Sequence, residues 1–209
     1  MADFAKPISL AITGASGSAY GLRLLECLLR ANRQVYLMIS KAGQVVIPME
    51  NEFSVPSQPK EAASFLAERY AAAEGQLQVF GREQWTAPVA SGSNAPDAMI
   101  IAPCTTGTLS ALAMGASNNL IERAGDVMLK EQRKLILMVR ETPLSAVHLE
   151  NMLKLARLGV VIMPASPGFY NRPEKVEDLV DFMVSRVLDH LGIDSDLAKR
   201  WGESQGLGV

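Results

Sequence analysis

Ile8-Ser-Leu-Ala-Ile-Thr-Gly-Ala-Ser-Gly17, followed at once by Ser18-Ala-Tyr-Gly-Leu-Arg-Leu-Leu-Glu-Cys-Leu-Leu-Arg30, decides the fold. The first stretch is a short apolar run that ends in a glycine turn. The second sets Leu22, Leu25, Leu28 and Leu29 on one face at helical spacing. Strand, glycine turn, helix is the repeating unit of a parallel sheet, and the alternation continues outward from it. Residues 34–40 read as a strand ending in Ser40-Lys41, and residues 60–73 as a polar, alanine-rich helix. Ala98-Met-Ile-Ile-Ala102 reads as a third buried strand. Helices are expected at 108–114, 119–131 and 145–158, strands at 135–139 and 160–163, and a last long helix at 174–191. Strands apolar on both faces, alternating with helices, mean a parallel sheet covered on both sides. The expected class is α/β: a Rossmann-like (flavodoxin-like) sheet in a single domain spanning residues 1–209. Residues 50–59, polar with two prolines, read as a loop or lid, and the glycine-rich residues 202–209 as a frayed tail.

Composition narrows the function. The 209 residues suffice for one domain with a sizeable core. A net charge of −2 leaves no basic footprint for nucleic acid. The densest basic cluster, Lys130, Arg133 and Lys134, is interrupted by Glu131; it suits one phosphate, not a polyanion groove. Cys27 and Cys104 form no CxxC, which argues against a disulfide framework and against zinc. No basic leader precedes a long apolar run, so the expectation is a cytoplasmic protein with no membrane span. The mean hydropathy of +0.12 is compatible with extra surface buried between subunits.

In such sheets ligands bind beyond the carboxyl ends of the strands. Those ends here are Thr13-Gly-Ala-Ser-Gly17, Ser40-Lys41, Pro103-Cys-Thr-Thr-Gly-Thr108, Arg140-Glu-Thr-Pro143 and Pro164-Ala-Ser-Pro-Gly-Phe-Tyr-Asn-Arg-Pro173. Glycines, hydroxyls and cations together suit a phosphate and a polar ring. The turn at Gly14 can aim backbone N–H groups and a helix dipole at an anion. It is not a P-loop, because no GK[ST] follows, and Gly14, Gly17 and Gly21 do not have the dinucleotide spacing. No tyrosine has a lysine four residues on, and the second strand does not end in an acid for a ribose hydroxyl. A nicotinamide dehydrogenase is therefore disfavoured. FMN, with one phosphate and no second ribose, fits better.

Five segments together resemble the UbiX family of flavin prenyltransferases: Thr13-Gly-Ala-Ser-Gly-Ser-Ala-Tyr-Gly21, Ser40-Lys-Ala42, Pro103-Cys-Thr-Thr-Gly-Thr-Leu109, Val139-Arg-Glu-Thr-Pro-Leu144 and Phe169-Tyr-Asn-Arg-Pro173. Order and spacing match over residues 8–190. The resemblance implies an enzyme, independent of metal, that joins a dimethylallyl group from dimethylallyl monophosphate to N5 and C6 of reduced FMN. It also implies that a UbiD-type decarboxylase receives the prenylated FMN, and that the chain forms a homo-oligomer, a dodecamer built from trimers. The related cysteine decarboxylases supply the alternative function, and a flavin carrier a second. The former use a histidine after the second strand, and residues 40–52 contain none.

By the same resemblance Gly14, Ala15, Ser16, Ser40, Thr105, Thr106, Gly107, Thr108 and Arg140 contact FMN. Lys130, Tyr170 and Arg186, with Arg140 beside them, hold the substrate phosphate. Two fixed cations and a phenol hydroxyl would stabilise the dianion that leaves an allylic carbocation. Glu141 is a candidate to take the C6 proton, with Ser16 as a relay, and Glu50 borders the flavin on a segment assigned to a neighbouring subunit. Trp85 and Trp201 are candidates to wall the prenyl pocket. Each residue also has an ordinary reading: Lys130 as solvated charge, Arg186 as the surface partner of Asp189, Tyr170 as loop packing and Glu141 as a partner of Arg140. Glu177-Asp-Leu-Val-Asp181 reads as a solvated helix face, His148 and His190 as helix residues without nearby ligands, and Cys104 as a small packing residue.

Overall fold

The computed structural model describes residues 4–198, which form two compact units divided after Ala165. The first unit carries the sheet: β1 (Ala5–Ile12), β2 (Arg33–Ile39), β3 (Leu77–Phe80), β4 (Ala98–Cys104), β5 (Lys134–Val139) and β6 (Val161–Ile162). All neighbours pair in parallel, in the order β3-β2-β1-β4-β5-β6. Winding therefore runs outward from β1 in one direction and then, from β4, in the other. With right-handed crossovers this reversal puts helices on both faces. It also opens a crevice between the carboxyl ends of β1 and β4.

The central strands are apolar because both faces are covered. Leu10, Ile12, Leu37, Ile100, Ile136 and Leu137 are all fully buried, each contributing roughly 1.5–3 kcal/mol. The helix α1 (Ser18–Arg30) coincides with the periodic stretch, and its leucine face is buried. Gly21 lets α1 lie against the sheet: a Cβ there would overlap the Ala102 carbonyl oxygen and stand 2.8 Å from Ile12 Cγ1. The helices α3 (Pro59–Arg69), α4 (Thr106–Ala113), α5 (Leu120–Lys130) and α6 (Ala146–Arg157) lie close to their expected bounds.

Two elements of the first unit were not foreseen. The helix α2 (Lys41–Glu50) occupies a stretch with no strong period and with Pro48 inside it. Pro48 is tolerated because it stands in the last turn, where Asn51 N–H closes the helix on the Ile47 carbonyl at 3.0 Å. The edge strand β3 is only four residues long, so Ala98–Cys104 is the fourth strand of the sheet and not the third. Residues 51–58 have no regular structure.

The second unit holds α7 (Val176–Leu191), which starts where Asp178 accepts the N–H groups of Glu174 and Lys175 and ends at Gly192, φ 67°. The first of these roles gives one acid of the 177–181 run a capping function. Trp201 and the tail 202–209 lie outside the described residues. Among the described residues no helix is long and apolar enough to cross a membrane.

Candidate active site at the strand ends

The site is built where the winding reverses. Thr13, the first residue after β1, is buried, and its hydroxyl joins the two central strand ends. It donates to the Pro103 carbonyl at 2.7 Å and accepts the Thr105 N–H at 2.9 Å. Ser40 N–H donates to the Ile12 carbonyl at 3.0 Å and Arg140 N–H to the Cys104 carbonyl at 3.2 Å. Backbone bonds thus bring the ends of β2, β1, β4 and β5 into one row. Gly14, Ala15, Ser16, Ser40, Thr105 and Arg140 all stand along it. Thr13, which holds the row together, was not singled out from sequence, because its role depends on a partner 90 residues away.

The turn at Gly14 does aim N–H groups at an anion, but that anion belongs to the protein. Glu50, the last residue of α2, takes Gly17 N–H on both carboxylate oxygens at 3.0 Å. It also takes Ser18 N–H and the Ser18 hydroxyl at 2.8 Å each, and the Ser16 hydroxyl donates to it as well. Asn51 steadies this arrangement by donating to Ser18 Oγ at 2.9 Å. Glu50 therefore reaches the start of α1 of its own chain. Partial burial raises the Glu50 pKa, but the bonds from Ser16, Ser18 and Gly17 together outweigh it and hold the carboxyl below its ordinary value. Gly14 has a packing reason of its own. A Cβ there would overlap Ala42 Cβ, with the Ala42 backbone at 3.2 Å.

On the other side of the crevice Thr105 caps α4. Its hydroxyl accepts Thr108 N–H at 3.1 Å and donates to Thr108 Oγ1 at 2.9 Å. Thr106 and Gly107 form the first turn behind it, Gly107 exposed. Cys104 is wholly buried, and its thiol is pushed up to about 12 by desolvation, so it packs and does not react. Thr105→Ala should remove the cap, lowering stability by about 1 kcal/mol in urea unfolding. Thr105→Ser should restore it, and an unchanged midpoint in the alanine variant would show that the cap contributes nothing.

Arg140, immediately after β5, is half-buried, and its Nε is buried with no hydrogen-bond partner. A buried guanidinium nitrogen left unbonded is unfavourable unless a ligand completes it. This is the feature of the structure that most directly fits a bound flavin ring or phosphate. Glu141 does not pair with Arg140. It is exposed, and its carboxylate accepts the N–H of Thr142 at 3.0 Å.

The remaining residues sit in ordinary surface settings. Lys130, at the end of α5, pairs with Glu131, and both lie over Gly92, where a side chain would meet them. Arg123, two turns earlier on α5, donates to the Ala90 carbonyl at 3.0 Å and holds that loop in place. Within the second unit Tyr170 is 39% exposed and stands edge-on to Phe182 at 5.6 Å. Arg186 pairs with Asp189 at 2.7 Å. Trp85 is 49% exposed. His148 has a structural task, since its Nδ1 accepts Ser145 N–H at 3.2 Å while Ser145 Oγ accepts His148 N–H at 3.3 Å, capping α6.

Comparison with known proteins gives a consistent picture. A family model described as Flavoprotein matches residues 2–188. The flavin prenyltransferase UbiX of Pseudomonas aeruginosa is 59% identical over 196 residues, 94% of each chain. Among solved structures, AnUbiX in complex with FMN and dimethylallyl pyrophosphate superposes with a TM-score of 0.85 at 38% identity, covering 96% of this chain and 99% of that one. A dodecameric FMN-dependent UbiX-like decarboxylase from Escherichia coli gives 0.83 at 39% identity over 93% and 98% of the two chains. A family match of this length and a relative of this identity mean that the chain belongs to the flavoproteins and, among them, to the UbiX flavin prenyltransferases.

Proposed function

We propose that this chain joins a dimethylallyl group from dimethylallyl monophosphate to N5 and C6 of reduced FMN. The observation that carries this is 59% identity, over 94% of both chains, to a flavin prenyltransferase. Reduced FMN supplies two nucleophilic positions, N5 and C6. The chain supplies the rest. Gly14, Ala15, Ser16, Ser40, Thr105, Thr106, Gly107, Thr108 and Arg140 hold the flavin along the row of strand ends, with the Arg140 guanidinium finding there the acceptor its Nε lacks. Lys130, Tyr170 and Arg186, with Arg140, bind the phosphate and stabilise it as it departs.

Both outer cations sit in surface ion pairs, Lys130 with the exposed Glu131 and Arg186 with the half-buried Asp189. Such surface pairs are worth about 0–1 kcal/mol, so transferring either cation to a dianion costs little. When the new ring closes, a proton leaves C6. Ser16, hydrogen-bonded to Glu50, and Glu141 are the groups to move it, with the released phosphate as a further acceptor. Glu50 is a weak base and acts chiefly by orienting the Ser16 hydroxyl. The product goes to a UbiD-type decarboxylase, the enzyme acts in the cytoplasm, and residues 1–209 work as one flavoprotein domain assembled into a dodecamer.

The test is anaerobic. Protein, reduced FMN and dimethylallyl monophosphate are mixed in parallel with the pyrophosphate ester, quenched, and the flavin is read by mass spectrometry. A flavin heavier by one five-carbon prenyl unit is expected with the monophosphate. Unchanged flavin with both esters, while FMN stays bound, rules the reading out. Tyr170→Phe and Arg186→Ala should retain FMN affinity within about twofold and lower transfer by roughly 10²–10³. A carrier would show no such split.

A further inference from the structure

Ser18 is wholly buried, yet its hydroxyl lies between two polar side chains. It donates to Glu50 Oε2 at 2.8 Å and accepts from Asn51 Nδ2 at 2.9 Å. A hydroxyl has one proton and turns it toward whichever acceptor is within reach. Here the direction is fixed from outside. Asn51 Nδ2 also donates to the Ile47 carbonyl at 2.8 Å, and a carbonyl can only accept. Turning the amide over would set two acceptors against each other, so its N–H₂ end faces both Ile47 and Ser18. An N–H₂ group only donates, which leaves Glu50 to receive the Ser18 proton. Donors thus run one way, from Asn51 to Ser18 to Glu50, while the exposed Ser16 donates to the same carboxylate.

We infer that Ser18 and Asn51 are positioning residues for the proton-handling pair Ser16 and Glu50. The backbone N–H groups of Gly17 and Ser18 would by themselves hold a carboxylate at the start of α1, as they would any anion. They do not decide which of its lone pairs stays open. The Ser18 hydroxyl does. With it Glu50 Oε2 takes three donors, Gly17 N–H, Ser18 N–H and Ser18 O–H, whereas Oε1 takes only the shared Gly17 N–H among these bonds. Oε1 is therefore the oxygen with room for the Ser16 hydroxyl, which fixes how that hydroxyl is turned. Without the Ser18 hydroxyl, Ser16 has both oxygens to choose from. Asn51 acts one step further back, since without its amide the Ser18 proton is no longer confined to Glu50. The inference rests on the proton-handling reading of Ser16 and Glu50 given above.

Anaerobic prenylation kinetics of Ser18→Ala, Asn51→Ala and the double variant S18A/N51A test it. Each single variant should lower kcat about tenfold, the worth of one hydrogen bond, with KM for FMN unchanged to within about twofold. The double variant should be no slower than Ser18→Ala alone, because Asn51 acts through Ser18. A second readout needs neither flavin nor turnover. The Ser18 bonds are among those that lower the Glu50 pKa, so their loss raises it toward the ordinary value. The stability gap between each variant and the same variant carrying Glu50→Gln should then close at a higher pH than in the natural chain. Glu52 and Arg69, the charged groups that share the hollow beside Glu50, are the same in every variant and do not move it. Full kcat in both single variants, losses that multiply in the double variant, or an unmoved closing pH would overturn the inference. If Glu50→Gln itself keeps full kcat, the proton-handling reading fails and takes this inference with it. A slow Glu50→Gln beside full-rate Ser18→Ala and Asn51→Ala sinks the inference alone.

Discussion

Glu50→Gln is expected to slow prenylation by about 10²–10⁴-fold while FMN remains bound, the range for losing a positioned proton-handling group. The carboxylate accepts donors from Ser16, Gly17 and Ser18 at once. An amide has one acceptor oxygen and turns an N–H₂ group toward a donor, so the Ser16 hydroxyl loses its orientation. Comparison with Glu141→Gln under the same anaerobic conditions separates the two carboxylates. A larger loss at Glu141 would make that carboxylate, and not the Ser16 hydroxyl oriented by Glu50, the main path for the C6 proton. The pH dependence of stability gives an independent reading. Because the Glu50 pKa is lowered in the folded state, its stabilising contribution is complete above the ordinary carboxylate value of about 4.3 and is lost as pH falls through the lower folded value. The stability gap between the natural chain and Glu50→Gln, present at neutral pH, should therefore close in acid. A gap that persists unchanged below about pH 2 would mean that the carboxylate charge is not what the turn uses.

Gly14→Ala should destabilise the fold by about 1–3 kcal/mol, the usual effect of overpacking, and weaken FMN binding at least tenfold. The added methyl overlaps Ala42 Cβ and crowds the Ala42 backbone, so α2 must move. That shift displaces both ends of α2, Ser40 at its start and Glu50 at its end. A second substitution, Ala42→Gly, removes the methyl that is struck. The pair G14A/A42G should regain most FMN affinity, less about 1 kcal/mol of stability for a glycine in a helix. Failure of the pair to recover flavin binding, with the fold intact, would show that Gly14 is needed for its approach to the ligand and not for its packing on α2.

Much of the architecture is written in short-range pattern. The leucines of α1, the apolar run of β4 and the amphipathic α5 each declare themselves within one or two turns of chain, because burial on one face imposes a period on neighbouring residues. The positions of the candidate-site segments follow, since each lies just past a strand that can be read directly. The helix α2 and the strand β3 lack that signal. α2 buries only Gly43 and Ile47, and β3 has too few residues to show an alternation.

The sequence by itself determined the class of fold, the row of strand ends that forms the candidate site, and which residue types stand along it. Only the tertiary structure decided which groups meet there. That the N–H groups of Gly17 and Ser18 hold Glu50, that Thr13 ties β1 to the turn after β4, and that Arg140 keeps a buried nitrogen unbonded are outcomes of segments 30 to 90 residues apart. The physical reason is range. Periodicity records what each residue needs from its neighbours along one element, whereas a hydrogen bond across the sheet depends on winding and register that no single element contains.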